Sequence, residues 1–159
     1  MEQQSVYTIY VDMDGVLVDL AKGVEEVSGI SLEQLKTRGR ELEKLLNEQP
    51  KNFWASLDWM PGGKDLWSYI QKYNPIILST PANNPESKEG KLLWIKKHLQ
   101  LPENRIIIDI NKEKYVDSDK SLLIDDREKV LKPWRAAGGT GIQHINTSST
   151  IKQLKKLGL

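Results

Sequence analysis

Short apolar runs separated by longer amphipathic segments constrain this chain more than any other feature. Residues 6–11, 75–78, 105–108, 122–124 and 141–145 are rich in Ile, Val and Leu, and mostly bounded by polar or turn-forming residues. Several are apolar throughout. A strand with one wet face would alternate, whereas a strand covered by helices on both faces need not. Helical patterns lie between them. Residues 64–73 place Leu66, Trp67, Ile70 and Tyr73 on one face, and 89–99 do the same with Leu92, Leu93, Ile95 and Leu99. Residues 128–137 and 150–157 follow, with Ser149 or Thr150 as the cap of the last helix. This alternation predicts an α/β fold, Rossmann-like, with a mainly parallel five-stranded sheet.

One connection is too long for that scheme. Between the first strand and Pro75 a single crossover helix is needed, and 64–73 supplies it. The segment 20–59 remains, and a structureless loop of that size is unusual in a compact domain. Its own pattern is helical: Ser31 and Gln34 form a capping pair, and Leu32, Leu35, Leu42, Leu45 and Leu46 recur at helical spacing. The expectation is a small helical cap at 20–59, inserted after strand 1 into a core of 1–19 and 60–159. Pro61-Gly62-Gly63 marks the return to the core.

Composition narrows the function classes. The chain has 159 residues, enough for one domain with a modest insertion. Its 23 Lys plus Arg nearly balance 22 Asp plus Glu, so it carries no electrostatic footprint for duplex nucleic acid or an anionic membrane. There are no cysteines, which excludes disulfides, thiolate metal sites and cysteine nucleophiles. The start, MEQQSVYTIYVD, lacks the basic and apolar regions of a secretory signal. No apolar run approaches the ~20 residues that span a bilayer. A cytoplasmic location is the expectation.

The chemistry concentrates at strand ends. The first strand closes in Asp12-Met13-Asp14-Gly15, where carboxylates two apart project to the same side. Asp125-Asp126 follows the strand at 122–124, and Ser79-Thr80 follows the strand at 76–78. Ligands of open α/β sheets bind at the carboxyl ends of the strands. Four carboxylates gathered there repel one another, and a hard divalent cation with oxygen ligands resolves the repulsion. Mg²⁺, which takes carboxylates together with substrate phosphate, makes the set a phosphoryl-transfer site. Each piece alone has a bland alternative: a loop for Asp-x-Asp, helix N-terminal charge for Asp125-Asp126, a turn for Ser79-Thr80. Their joint occurrence at strand ends favours the site.

Four stretches resemble the motifs of the haloacid dehalogenase superfamily. They are the run Asp12-Met13-Asp14-Gly15-Val16-Leu17-Val18-Asp19, then Ile77-Leu78-Ser79-Thr80-Pro81, then Lys91 within Gly90-Lys91-Leu92-Leu93-Trp94-Ile95, and Leu122-Leu123-Ile124-Asp125-Asp126-Arg127. Within that superfamily the chain is similar to the 5'(3')-deoxyribonucleotidases, with Asn52-Phe53-Trp54 ahead of Pro61-Gly62 as further matching stretches. The resemblance implies an Mg²⁺-dependent phosphomonoesterase acting on (deoxy)ribonucleoside monophosphates through an aspartyl-phosphate. Asp12 is then the nucleophile and Asp14 the acid and base. The metal is held by Asp12, the backbone carbonyl of Asp14, Asp126 and Asp125. Ser79, Thr80 and Lys91 clamp the phosphate, and Lys91 keeps Asp12 ionised. Phe53 and Trp54 meet the base from the cap, unless they pack the cap instead. The family's Arg-x-Lys phosphate segment is approximated by Lys112-Glu113-Lys114, with Lys114 as the candidate contact and Lys112 as the alternative. Members of the family are often dimers, so a homodimer is a further expectation.

Rival readings share parts of this pattern. The same core would serve a sugar phosphatase or an enzyme acting on a nucleic-acid 3'-phosphate end. A signalling receiver domain also combines an acidic pair, a hydroxyl, a lysine and Mg²⁺, but needs a separate phosphoacceptor on a middle strand, where only Asp109 is offered. A silent nucleotide-binding protein would not need every catalytic position filled. Trp59, Trp67, Trp94 and Trp134 read as core or boundary residues. His98 and His144 carry no assigned role, and Lys152, Lys155 and Lys156 form a solvated face.

Overall fold

The computed structural model describes residues 6–159; the first five residues of the start discussed above lie outside the described residues. In chain order the elements are β1 (Thr8–Val11), α1 (Leu20–Ser28), α2 (Leu32–Lys36), α3 (Glu41–Asn47), α4 (Lys51–Ala55), α5 (Gly63–Ile70), β2 (Ile76–Ser79), α6 (Pro85–His98), β3 (Ile106–Ile108), β4 (Ser121–Asp125), α7 (Glu128–Ala136), β5 (Thr140–Gln143) and α8 (Thr147–Lys156). They form two compact units. The first contains the chain up to Val18, Trp59–Thr80 and Asn104–Leu159; the second contains Asp19–Asp58 and Pro81–Glu103. Residues 81–103, which lie in the core range read from the sequence, group here with the inserted helices.

The first unit is built on an all-parallel sheet in the order β3-β2-β1-β4-β5. β1 is central: Val11 pairs with Ile77 on one side and Ile124 on the other. The chain runs outward from β1 to β2 and β3, then returns to place β4 and β5 on the opposite side. The switch point therefore lies beside β1, where a crevice opens at the carboxyl ends. Ile9, Val11, Leu122, Leu123 and Ile124 are all wholly buried, which is why these strands are apolar on both faces. Tyr10, Leu78, Leu123, Leu131 and Trp134 form one core cluster. Tyr10 meets Trp134 edge to face at 5.3 Å. The Trp134 indole N–H donates to the carbonyls of Ser121 (3.1 Å) and Thr140 (2.9 Å), which ties β4 to β5 and satisfies a buried donor. The cap of α8 differs from expectation. Asn146 accepts from the Ser149 N–H at 2.8 Å, so Ser149 and Thr150 lie inside the helix.

The second unit confirms helices across 20–59, with Ser31 Oγ accepting from the Gln34 N–H at 3.2 Å. It corrects the face expected for α6. Ile95 and Leu99 are buried, but Leu92 and Leu93 are 39% and 46% exposed, and the buried face is Ser87, Gly90, Lys91, Trp94 and Ile95. The reason is steric. A Cβ at Gly90 would sit 2.5 Å from the Lys51 carbonyl oxygen and 2.4 Å from the Trp54 Cβ, so α4 lies against α6 where only glycine fits. Hydropathy cannot register that fit, and the long stem of a lysine buries readily. α6 also starts earlier than expected, because Asn84 caps it through the Ser87 N–H at 3.1 Å, with Pro85 opening the first turn.

This packing fixes the sign of one substitution. On an open helix Gly→Ala adds about 1 kcal/mol of stability. Gly90→Ala should instead destabilise by about 1–3 kcal/mol in urea unfolding, as overpacking does. A more stable variant would mean that α4 does not approach this closely.

Candidate active site

Every residue of the acidic cluster belongs to the first unit. Asp12 follows β1, and its N–H donates to the Ile124 carbonyl at 3.0 Å, which extends the ladder by one residue. The chain then turns back, with the N–H groups of Leu17 and Val18 both donating to the Met13 carbonyl at 2.9 Å. Gly15 is required twice over. Its φ is +83°, and a Cβ there would fall 2.2 Å from Asp126 Oδ2.

Asp125 ends β4 and is wholly buried. Its Oδ1 accepts from the Arg127 N–H at 3.0 Å, and its Oδ2 accepts from Lys112 Nζ at 2.8 Å. Lys112 Nζ also lies 3.0 Å from Asp12 Oδ1. One buried ammonium therefore bridges two buried carboxylates. Burial works against its charge, but Asp12 and Asp125 outweigh that and hold its pKa above the usual lysine range. Burial, followed by the charge of Asp12, pushes the Asp125 carboxyl up against the pull of Lys112. Asp126 is pushed up to about 7, first by burial and then by Asp12 and Asp125.

That pattern fits a cation. Asp12, Asp125 and Asp126 each offer an oxygen, all within 4.8 Å of one another. Lys112 bridges Asp12 and Asp125, and burial followed by the charges of those two carboxylates pushes Asp126 up. Three hard oxygen donors suit Mg²⁺, and the missing Cβ of Gly15 leaves Asp126 its position. Beside them Ser79 ends β2, wholly buried, and its Oγ has no hydrogen-bond partner among the described residues. A buried hydroxyl without a partner is costly and suits a site that receives a ligand oxygen. Thr80 follows it, half-buried.

Lys114 is exposed and ion-paired to Asp109 at 2.5 Å. Lys91 is buried on α6 in the second unit, its Nζ 5.3 Å from the Trp54 ring centre. Phe53 and Trp54 meet edge to face at 5.2 Å, but their surroundings differ. Trp54 is buried against α6 at Gly90, whereas Phe53 lies against Gly23 and lines a cleft of about 260 Å³ with α1. The sequence reading did not assign Lys112 the contact with Asp12 that the structure shows. The only signal was its place on a turn just after a strand end. His144 was given no role, yet its N–H holds the Asp125 carbonyl at 2.8 Å and its ring bonds Thr150 Oγ1 at 2.7 Å.

No family model matches the chain. A protein of Vibrio phage KVP40, provisionally named a 5'(3')-deoxyribonucleotidase, is 32% identical over 124 residues. The match takes in 76% of this chain and 66% of that protein, so the chain spans just under two thirds of its relative's length. Three solved structures share the fold. A dehalogenase with an intermediate complex has a TM-score of 0.60 at 17% identity, covering 91% of this chain and 86% of that one. A HAD-superfamily hydrolase from Ehrlichia chaffeensis has 0.57 at 11% identity, covering 96% and 97%. A hydrolase from Streptococcus pneumoniae TIGR4 has 0.53 at 14% identity, covering 98% and 100%. No helix among the described residues is long and apolar enough to cross a membrane.

Two outcomes test the geometry. Metal must displace the proton that Asp126 holds in the metal-free protein, so ionisation through about pH 7 should govern binding. Mg²⁺ affinity in calorimetric titration should weaken as pH falls below that point, by up to about tenfold per pH unit for one displaced proton. Equal affinity at about pH 5.5 and about pH 8 would remove Asp126 from the ligand set. Gly15→Ala should abolish Mg²⁺ binding by driving Asp126 aside; a variant that binds normally would show that Asp126 has room to move.

Proposed function

We propose that this chain, which belongs to the haloacid dehalogenase superfamily, is a magnesium-dependent phosphomonoesterase that hydrolyses (deoxy)ribonucleoside monophosphates to nucleoside and phosphate. The observation that carries the reading is the Asp12 carboxylate at the end of the central strand, held by Lys112 beside Asp125 and Asp126. Lys112 Nζ lies 3.0 Å from Asp12 Oδ1 and holds that carboxylate in place for attack on phosphorus.

In the first step an Asp12 oxygen attacks phosphorus in line. The bond from phosphorus to the nucleoside oxygen breaks, and that oxygen takes the proton of the Asp14 carboxyl. In the second step water attacks the aspartyl-phosphate and gives its proton to Asp14. The bond between phosphorus and Asp12 breaks, releasing inorganic phosphate and restoring the Asp12 carboxylate. Magnesium bound by Asp12, Asp125, Asp126 and the Asp14 backbone carbonyl would offset repulsion between the Asp12 carboxylate and the phosphate dianion. The buried Ser79 hydroxyl is suited to donate to a phosphate oxygen, with Thr80 next to it. Roles for Lys91 and Lys114 at phosphate, and for Phe53 and Trp54 at the base, rest on the motif resemblance. The nucleotide assignment draws support from the phage relative.

A phosphate-release panel over deoxy- and ribonucleotides, sugar phosphates and 3'-phosphorylated oligonucleotides tests this. Deoxymononucleotides should rank among the better substrates, with release lost when Mg²⁺ is chelated. Good turnover of sugar phosphates alone would replace the nucleotide assignment. Asp12→Asn should lower kcat by about a thousandfold or more while the fold persists. Full activity in that variant would overturn Asp12 as nucleophile.

A further inference from the structure

Lys112 reaches the site from an unusual support. It sits on the single turn Lys112–Tyr115, in which Glu113 and Lys114 are exposed and Lys112 alone is buried. Just upstream, Ile110 is 67% exposed and Asn111 is also exposed. Tyr115 and Val116 lean on the core cluster, but apolar burial alone does little to fix such a segment. Yet the turn must hold an ammonium between two buried carboxylates, a placement sensitive to shifts of an ångström.

The polar bonds of the segment converge on one side chain. Asp109 Oδ1 accepts from the Asn111 N–H at 3.0 Å, just ahead of the turn. Its Oδ2 accepts from the Tyr115 hydroxyl at 2.7 Å, at the end of the turn, and pairs with Lys114 Nζ at 2.5 Å. Asp109 is itself anchored, because its N–H donates to the Ser79 carbonyl at 2.9 Å, one step past the β2–β3 pairing. Lys114, then the Asn111 N–H and Tyr115, hold the Asp109 carboxyl well below the usual carboxylate range, so the anchor stays ionised across the working pH range.

We propose that Asp109 is a positioning residue that acts through Lys112. It closes the Asn111–Tyr115 segment into a rigid loop, ties that loop to Ser79, and so keeps the Lys112 ammonium between Asp12 and Asp125. This inference rests on the reading of Asp12 as the nucleophile for its kinetic consequence, but not for its structural one. Asp109 makes none of the contacts within the acidic cluster itself, and the turn orders the lysine by local bonds rather than by burial.

The test joins kinetics to a signature of Lys112. In protein labelled with ¹⁵N-lysine, the buried Lys112 ammonium should give an NMR signal protected from solvent exchange. Asp109→Ala should remove that protection and lower kcat by about 10- to 100-fold, as small misplacements do, with KM changed less than about twofold. Tyr115→Phe deletes one bond with little risk to folding, and should lower kcat and protection in the same direction by a smaller amount. In a Lys112→Met background, Asp109→Ala should cost no further activity, because the residue it positions is gone. An unchanged Lys112 signal in Asp109→Ala, or additive losses in the double variant, would overturn the proposal. If the wild-type chain hydrolysed no phosphomonoester, the function would fall, while the Lys112 signal in the two single variants would still decide the role of Asp109.

Discussion

The contact of one ammonium with two buried carboxylates governs the site. Two carboxylates about 4 Å apart at an effective dielectric near 20 repel by about 4 kcal/mol, enough to drive a proton onto one of them. Lys112 bonds Asp12 and Asp125 together, while burial first, and then the charges of Asp12 and Asp125, push the Asp126 carboxyl up to about 7. The Lys112 contact and the candidate metal cluster thus share one charge balance: the lysine meets Asp12 and Asp125, and a cation held by Asp12, Asp125 and Asp126 would meet the third carboxylate as well.

The parts of the site legible in the sequence are those that share a short run with a strand. Asp12 and Asp14 follow Tyr10 and Val11 directly, Asp125 and Asp126 follow Leu123 and Ile124, and Ser79 follows Leu78. Because both faces of the sheet are covered, each apolar run ends abruptly at a polar residue, and that residue stands at the carboxyl edge. The five strands were readable for the same reason. The contact of Lys112 with Asp12 and Asp125 was not, since Lys112 lies in a polar turn and the sequence offered it only within the approximate Lys112-Glu113-Lys114 segment. Lys91 follows the expected motif order. Its burial on α6, on a helix face set by Gly90 rather than by Leu92 and Leu93, is a packing fact with no hydrophobic signal.

The second unit shows the same limit from another side. Its helices were readable from leucine spacing and from Ser31, which caps α2. The different settings of Phe53 and Trp54 were not, because adjacent residues on a helix point about 100° apart. Trp54 turns under α6, and Phe53 turns toward Gly23 and an open cleft. A resemblance that assigns both rings one task cannot see this division.

The charged pair also bears on how the sheet chooses its register. In a strand buried on both faces, sliding by one residue exchanges one apolar side chain for another, so hydrophobic pattern alone specifies register weakly. In β1 and β4 the polar ends supply what the pattern lacks. Val11 opposite Ile124 places Asp12 and Asp125 at one level, within reach of Lys112. A slip would pull a carboxylate into the core or leave the ammonium buried without its partner, and a buried charge deprived of its partner costs several kcal/mol. Asp12, Asp125 and Lys112 therefore also mark where the central strands must stop, and the same contact that holds the acidic cluster together helps to specify the fold that carries it.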